Sequence, residues 1–304
     1  PHAANGGGAA PVLAPARADA RRVPGDRVSA TEPVLTAADR VAWNRWSRTC
    51  AMHARTAEHR RRVESARRTV AEAFDASLSW AVMVSGGKDS TALASIVAGV
   101  VPGVQLASEK DDMDYPGERA YVESLAARLG CPIDIITPPV SPREVIARMG
   151  SEVGAMGDWH GRAAELSRVC FYEPVEAYSA GFDGVFLGLR QDESRGRRMN
   201  RATHGRLYRK TSARHADGQL VCTPLADWRD VDVYGYLGAR GIDLLPVYRC
   251  IDFMHRDRPG AIRKSWWIPE GNAARHGGVA WLRRYYPSLY RTLAEWVPGV
   301  SDLT

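Results

Sequence analysis

The stretch that decides the fold is SWAVMVSGGKDSTALASIVAGV, residues 79–100. Residues 79–84 form an apolar run of strand length, and residues 91–100 have the pattern of a buried helix. Between them, two glycines let the backbone turn tightly and bring its N–H groups against phosphate oxygens. Lys88 adds a positive charge, and the helix that begins near Asp89 adds its positive dipole end. The stretch therefore predicts a strand, a phosphate-binding loop and a helix.

The sequence that follows alternates short apolar runs with amphipathic segments. Strands are predicted at 104–107, 132–136 and 183–187, and helices at 116–129, 142–149 and 173–180. Strands that alternate with helices of this length imply βαβ crossovers. The predicted fold class is therefore α/β, with a doubly wound, mainly parallel sheet that is covered by helices on both faces.

The rest of the chain is divided by composition. Residues 1–34 are rich in Ala, Gly, Pro and Arg and are interpreted as an arm or linker. Residues 35–76 are predicted as an N-terminal helical segment, with Thr36 as its cap and Asp39 in its first turn. The nucleotide-binding domain is expected at 77–222, and a mostly helical extension packed on the same domain at 223–304.

Composition limits the class of protein and its chemistry. The chain has 304 residues, of which 45% are hydrophobic and 25% are charged, as in an ordinary globular protein. No apolar run is long enough to cross a bilayer, so no membrane partner is expected, and a cytoplasmic location is the default expectation. The five cysteines include no CxxC pair and the eight histidines no HxH or HExxH pattern. Neither zinc nor an iron–sulfur cluster is therefore expected, although a cluster built from distant cysteines stays open.

Several segments resemble a known family in the right order. SGGKDS (85–90) closely resembles the PP-loop of the N-type ATP pyrophosphatases, a superfamily that includes the phosphoadenosine phosphosulfate (PAPS) reductases. LASEKDDMDYPGERAYVESLAARLG (106–130) resembles its second strand, acidic loop and helix, and GLRQDESRGRR (188–198) resembles its GxRxxES..R segment. TPLADWRDVDVYGYL (223–237) resembles the element that comes next. The resemblance implies an adenine nucleotide alpha-hydrolase-like fold over roughly residues 75–290.

The resemblance also implies an activity, in which ATP is cleaved to AMP and pyrophosphate and an acceptor is activated by adenylylation for sulfur incorporation. Mg²⁺ would accompany ATP, with Asp89 as a candidate ligand directly or through water. The implied catalytic residues are Lys88, Asp89, Arg190 and Arg197. The implied nucleotide-binding residues are Ser85, Gly86, Gly87, Lys88, Asp89, Ser90, Asp111, Asp112, Gly188, Glu193 and Ser194.

One departure from the family bears on the substrate. Sulfonucleotide reductases carry a nucleophilic cysteine in a C-terminal ECGLH motif, and this chain has none, its last cysteine being Cys250. That absence argues against PAPS reduction, because the reaction needs a thiolate. Two alternatives nevertheless stay open at this stage. One is a PAPS reductase-like enzyme that acts on sulfonucleotides, and the other is a non-catalytic subunit that binds nucleotides or nucleic acid.

Basic residues point to the partner. The net charge is +6, and arginines cluster between Arg195 and Arg214 with Arg197, Arg198, Arg201, Arg206, Arg209 and Lys210. This segment is interpreted as a mobile loop or hairpin that is either solvated or grips phosphates. The same alternatives apply to the basic stretch at 59–68 and to a patch beside Trp266 and Trp267, where a core role for the tryptophans is favoured. Nucleic acid, DNA more than RNA, is the expected acceptor, as in DNA phosphorothioation. A sulfur-donor protein such as a cysteine desulfurase is the expected further partner, with transfer RNA thiolation as the neighbouring option.

Overall fold

The computed structural model describes residues 32–75, 77–149, 165–212, 214–252, 266–267, 277–297 and 299–300. The arm predicted at 1–34 therefore lies outside the described residues except for its last three. Most of the basic patch near Trp266 also falls outside them.

The centre of the fold is a mainly parallel sheet. The described residues form six strands, which we number in chain order: β1 (Trp80–Met83), β2 (Gln105–Glu109), β3 (Ile133–Ile136), β4 (Gly184–Phe186), β5 (Leu207–Ser212) and β6 (His215–Cys222). Their order across the sheet is β3-β2-β1-β4-β6-β5. All neighbouring pairs are parallel except the β5–β6 pair, which is antiparallel. The predicted fold class is confirmed, and so are all four predicted strands, which correspond to β1–β4.

Helices connect and cover the strands. In chain order they are α1 (Ala37–Ala54), α2 (Ala57–Ala73), α3 (Lys88–Ala98), α4 (Glu118–Leu129), α5 (Pro142–Met149), α6 (Glu173–Ser179), α7 (Arg195–His204), α8 (Asp230–Ala239), α9 (Val279–Tyr285) and α10 (Pro287–Trp296). A short π-helical segment, Arg168–Tyr172, precedes α6. Helix α3 is buried along most of its length, which explains why apolar residues, three of them alanines, fill its second half and middle. Of the helices in the described residues, none combines the length and apolar character that a membrane crossing requires.

The N-terminal helical segment is two helices rather than one. Thr36 caps α1 as predicted, in a capping box in which Thr36 and Asp39 accept each other's backbone N–H groups. The chain then breaks at Arg55, and the Thr56 side chain accepts the His59 N–H to start α2. The break turns α2 back onto the sheet, where Ala66 and Val70 are fully buried.

The arginine-rich segment after residue 194 is interpreted from the sequence as a mobile loop or hairpin, but it begins with a helix. Residues Arg195–His204 form a helix, because the Ser194 side chain accepts the Arg197 N–H and starts it. Only the second half is a hairpin, in which β5 pairs with β6 at the sheet edge. Strand β5 is mostly exposed, and its charged sequence LYRKTS carries little of the apolar signal that reveals a buried strand.

Candidate nucleotide site

The predicted phosphate loop lies where the direction of strand order reverses. The chain runs from β1 to β2 and β3 on one side, and then returns to place β4 on the other side of β1. In open parallel sheets, ligands bind outside the carboxyl ends of the strands at such a switch point. The loop Ser85–Ser90 follows β1, and Gly188–Arg190 follows β4, so the fold brings these two predicted segments to the same place.

The loop is held in a tight conformation by its own hydroxyl groups. The Ser90 hydroxyl donates to the Gly87 carbonyl at 3.0 Å and accepts the Ser85 N–H at 3.1 Å. Gly86 has φ of +78°, a value that side-chain-bearing residues rarely adopt. Gly188 has a different reason to be glycine, since a Cβ there would lie 3.0 Å from backbone atoms of Asp89 and Ser90. The second segment therefore packs directly on the start of α3.

Two buried cations and two carboxylates form the centre of the site. The Lys88 Nζ lies 2.8 Å from Asp89 Oδ2 and 3.3 Å from Asp230 Oδ1. The Arg190 guanidinium lies 2.7 Å from Asp89 Oδ1 and 2.6 Å from Asp230 Oδ1. Lys88 and Arg190 are each 3% exposed, so both charges are held inside the protein rather than in solvent. We call these four residues the charge cluster.

Electrostatics favour the charged forms of Asp230 and Arg190. Burial by itself raises the pKa of Asp230, but Lys88 and Arg190 outweigh it and the pKa lies below its usual value. Burial also lowers the pKa of Arg190, and its carboxylate neighbours, Asp89 first among them, raise it above the usual value. The cluster is thus a balanced set of two positive and two negative groups. An incoming anion that draws the cations away would unbalance it.

Sequence reasoning missed two residues of this site. Asp230 lies in the quoted segment 223–237, but nothing in the local pattern shows that its side chain reaches a loop after β1. Tyr248 is fully buried and its hydroxyl accepts the Lys88 N–H at 2.9 Å, which fixes the first residue of α3. The available signal for Asp230 was its position at the start of a helix, immediately after an arginine and near a buried tryptophan.

Three further predicted residues form the turn beyond Arg190. Glu193 accepts the Arg190 N–H at 3.0 Å and pairs with the Arg197 guanidinium. The Ser194 side chain accepts the Arg197 N–H at 3.2 Å and so caps α7. In this structure Glu193 and Ser194 shape the turn, and Arg197 is held by Glu193 at its edge.

The two predicted aspartates lie one strand away, after β2. Burial raises the pKa of Asp111 to about 7, although its carboxylate accepts the Met113 N–H at 2.7 Å. The other Asp111 oxygen is buried without a hydrogen-bond partner among the described residues. Burial also raises the pKa of Asp112. Both follow the carboxyl end of β2. The Asp111 carboxylate contacts its own loop, and the Asp112 carboxylate contacts the start of α5.

All five thiols are buried. Burial raises the pKa of Cys50, Cys170 and Cys222 to about 12, and it also raises the pKa of Cys131 and Cys250. A thiol in such surroundings stays protonated near neutral pH and is a poor nucleophile.

Some of the predicted phosphate-gripping arginines are used within the protein. Arg201 and Arg206 both pair with Asp227, and Arg206 also donates to Ser65 and Thr69 on α2 at 2.8 and 2.9 Å. Arg209 donates to the Gly218 carbonyl within the hairpin. Arg201 and Arg206 are therefore ion-paired within the protein, and Arg206 also joins the start of the hairpin to α2. Phosphate binding by these two arginines stays a prediction that would require these ion pairs to open.

Of the two tryptophans beside the second basic patch, Trp267 lies in the core. Trp267 is 3% exposed, belongs to a buried apolar cluster and donates its indole N–H to the Asp112 carbonyl. The prediction of a core role is confirmed for Trp267. Of the patch itself, Arg256, Arg258, Arg263 and Lys264 lie outside the described residues.

Comparison with known proteins gives consistent relatives. Residues 79–251, more than half of the chain, match the model of the phosphoadenosine phosphosulfate reductase domain. A relative in Streptomyces lavendulae, sulfate adenylyltransferase subunit 2, is 27% identical over 70% of this chain and 68% of its own length. Among solved structures, a Candida auris PAPS reductase in complex with phosphate is 15% identical, over 60% of this chain and 83% of that chain, with a TM-score of 0.45. A Candida glabrata FMN adenylyltransferase with FAD and inorganic pyrophosphate is 13% identical, over 71% and 70%, with a TM-score of 0.47.

Proposed function

The chain belongs to the phosphoadenosine phosphosulfate reductase domain family, and from that premise we propose that it cleaves ATP between the α and β phosphates. An acceptor would take the adenylyl group and pyrophosphate would leave. The observation that carries this proposal is the charge cluster, in which two buried cations, one from the glycine loop and one from the segment after β4, share two carboxylates at the switch point of the sheet.

The cluster supports phosphate binding because its cations are already desolvated and paired. Taking Lys88 and Arg190 out of water is costly, and Asp89 and Asp230 offset that cost in the absence of nucleotide. ATP would offer the same cations phosphate oxygens of higher charge. Lys88 and Arg190 would then exchange carboxylates for the β and γ phosphates without leaving the site.

The chemistry asks for little more than position and charge. A nucleophilic oxygen of the acceptor forms a bond to the α-phosphorus, the bond from that phosphorus to the bridging oxygen breaks, and pyrophosphate keeps the electron pair. Lys88 and Arg190 would stabilise the negative charge that grows on the leaving group. Arg197, which pairs with Glu193, would contribute from the acceptor side.

The donor set also fits Mg²⁺, which prefers oxygen ligands. Both Asp89 oxygens face Lys88 or Arg190 in this structure, so Asp89 becomes available to a metal only when those cations move to phosphate. The ion, when bound with ATP, would neutralise phosphate charge.

We place the acceptor in nucleic acid, with sulfur incorporation of the DNA phosphorothioation kind as the setting. Arg195 and Arg198 support this choice, since both are exposed in the first turns of α7 and neither pairs with a carboxylate of another described residue. They follow the Arg190–Ser194 turn directly, so a phosphate backbone bound there would reach the nucleotide site. A sulfur-donor protein would then act on the adenylylated product.

A second acceptor is favoured by one comparison. The relative in Streptomyces lavendulae is by name a subunit of sulfate adenylyltransferase, which points to sulfate as a small acceptor for the same adenylyl transfer. The buried thiols argue against reduction of a sulfonucleotide, which needs a reactive thiolate.

Pyrophosphate release in the presence of each acceptor tests the proposal. The protein is incubated with ATP and Mg²⁺ alone, with sulfate, with duplex DNA and with transfer RNA. Stimulation by DNA supports the main proposal, stimulation by sulfate alone supports the second candidate, and stimulation by transfer RNA alone moves the acceptor to RNA. Absence of pyrophosphate under every condition overturns ATP cleavage by this chain.

A further inference from the structure

A second polar cluster lies apart from the nucleotide site, where α1, α2 and α8 meet. His53 comes from the end of α1, His59 from the first turn of α2, and Asp232 from the first turn of α8. One ligand atom from each lies within 4.8 Å of the others. The His53 Nε2 is 2.6 Å from Asp232 Oδ1, and the His59 Nδ1 is 3.6 Å from the same oxygen.

One buried nitrogen of this cluster lies 3.6 Å from its carboxylate neighbour, too far for a normal hydrogen bond. The His59 Nδ1 is buried and has no hydrogen bond within the described residues, although His59 is only 4% exposed and its ring faces the carboxylate. A buried ring nitrogen without a partner costs free energy. A bound cation would satisfy it, because neutral imidazole nitrogens are the usual nitrogen ligands of metals in proteins.

The Asp232 carboxylate turns one of its two oxygens toward the histidines. The other oxygen of Asp232, Oδ2, accepts the Arg62 guanidinium at 2.9 Å and the Arg229 N–H at 2.8 Å. Both arginines also contact Glu58, which offsets part of their charge. Asp232 therefore turns Oδ1 alone toward the histidines, and its outer partners hold it there, as in known metal sites.

We propose that His53, His59 and Asp232 bind a divalent zinc ion, with water as the fourth ligand. Zinc takes nitrogen and oxygen ligands at about 2.0–2.1 Å in tetrahedral geometry, which sets ligand atoms about 3.3 Å apart. The two histidine–aspartate separations, 2.6 and 3.6 Å, lie on either side of that value, and the two histidine ligand atoms lie within 4.8 Å of each other. Small side-chain rotations would bring all three ligand atoms to the ion. His59 also lines a surface cavity together with Arg60, Val63 and Tyr236, which gives the ion and the water a route in.

The position explains what the metal would do. It would join both N-terminal helices to the first turn of α8, which carries Asp230 of the charge cluster two residues earlier. The site is independent of the proposed ATP cleavage, since none of its ligands belongs to the charge cluster. A zinc ion here would differ from the sequence-based expectation of no zinc, because its ligands come from three helices and form no local sequence motif.

Metal analysis of tag-free protein tests the site. The protein is stripped with a chelator, exposed to zinc, dialysed and analysed for bound metal, and Co²⁺ is used in parallel as a spectroscopic probe. We expect about one zinc per chain, a visible spectrum typical of four-coordinate cobalt, and a higher Tm with zinc. His53→Gln and His59→Gln should each weaken zinc binding at least about tenfold and abolish the Tm shift.

The matched control is His204→Gln, an exposed histidine on α7 whose ring lies beside Tyr208. It should bind zinc as the unchanged protein does. His53 is the safer of the two ligand variants, since its side chain is 14% exposed and its loss disturbs the core less. A folded chain without stoichiometric zinc, or zinc that both ligand variants retain, would overturn the proposal.

Discussion

Replacement of Lys88 separates phosphate binding from mere stability of the loop. Lys88→Met keeps the length of the buried side chain and removes its charge. The structure shows the Lys88 Nζ at 2.8 and 3.3 Å from two carboxylates, with Arg190 still facing both after the change. Because Arg190 keeps the carboxylates partly neutralised, we expect a loss of about 1–3 kcal/mol in the free energy of unfolding rather than the full cost of an unpaired buried charge.

The effect on turnover should be larger than the effect on stability. Loss of one charged group that stabilises the transition state lowers the rate about 10²–10³-fold. The assay is pyrophosphate release at saturating ATP, together with urea denaturation of the same preparation. Arg119→Met is the control, since Arg119 is an exposed cation whose one ion pair among the described residues is with Glu123 on its own helix. A folded Lys88→Met protein that releases pyrophosphate at the rate of the Arg119→Met control would refute a role for Lys88 at the phosphates.

Three further changes probe the surroundings of the site. Arg195→Ala with Arg198→Ala should weaken DNA binding and flatten the slope of log affinity against log salt by roughly 0.9 per lost contact, measured by titration at several salt concentrations. An unchanged slope would exclude these arginines as phosphate contacts. Arg206→Ala should lower the free energy of unfolding by about 1–3 kcal/mol, measured with urea, and leave the salt slope unchanged, because Arg206 is bonded to Asp227, Ser65 and Thr69. Burial raises the pKa of Asp111 to about 7, so the folded chain binds this proton more tightly than the unfolded chain. The free energy of unfolding, measured by urea titration, should therefore fall as the pH rises from about 4 to about 7. Asp111→Asn should remove that part of the fall. An equal fall in the variant would contradict this prediction.

The parts of the fold that the sequence predicted are those that local pattern determines. Residues 79–100 read as strand, loop and helix because an apolar run, two glycines and a buried helix follow one another directly. The cap of α1 was also predictable, since Thr36 and Asp39 have the spacing of a capping box. The break at Arg55 was missed because no glycine or proline marks it. Thr56, which caps α2, was the available signal.

The parts that could not be predicted depend on contacts between distant residues. The Asp227 carboxylate forms ion pairs with Arg201 and Arg206, and no local sequence pattern indicates these ion pairs. Asp230 reaches Lys88, and Asp232 reaches His53, because α8 presents these two carboxylates to different neighbours. A helix places residues two apart on different faces, so the two aspartates of the DVD sequence at 230–232 belong to two sites. Only the packing of the helices shows which site each aspartate joins.

The products of ATP cleavage show directly whether the chain cleaves ATP between the α and β phosphates. ATP labelled at the α-phosphate is incubated with the protein and Mg²⁺, with and without duplex DNA, and the labelled products are separated, with Lys88→Met as the blank. We expect the label in AMP or in an adenylylated acceptor, with one pyrophosphate formed for each ATP consumed. Label in ADP, with orthophosphate as the second product, would contradict this expectation.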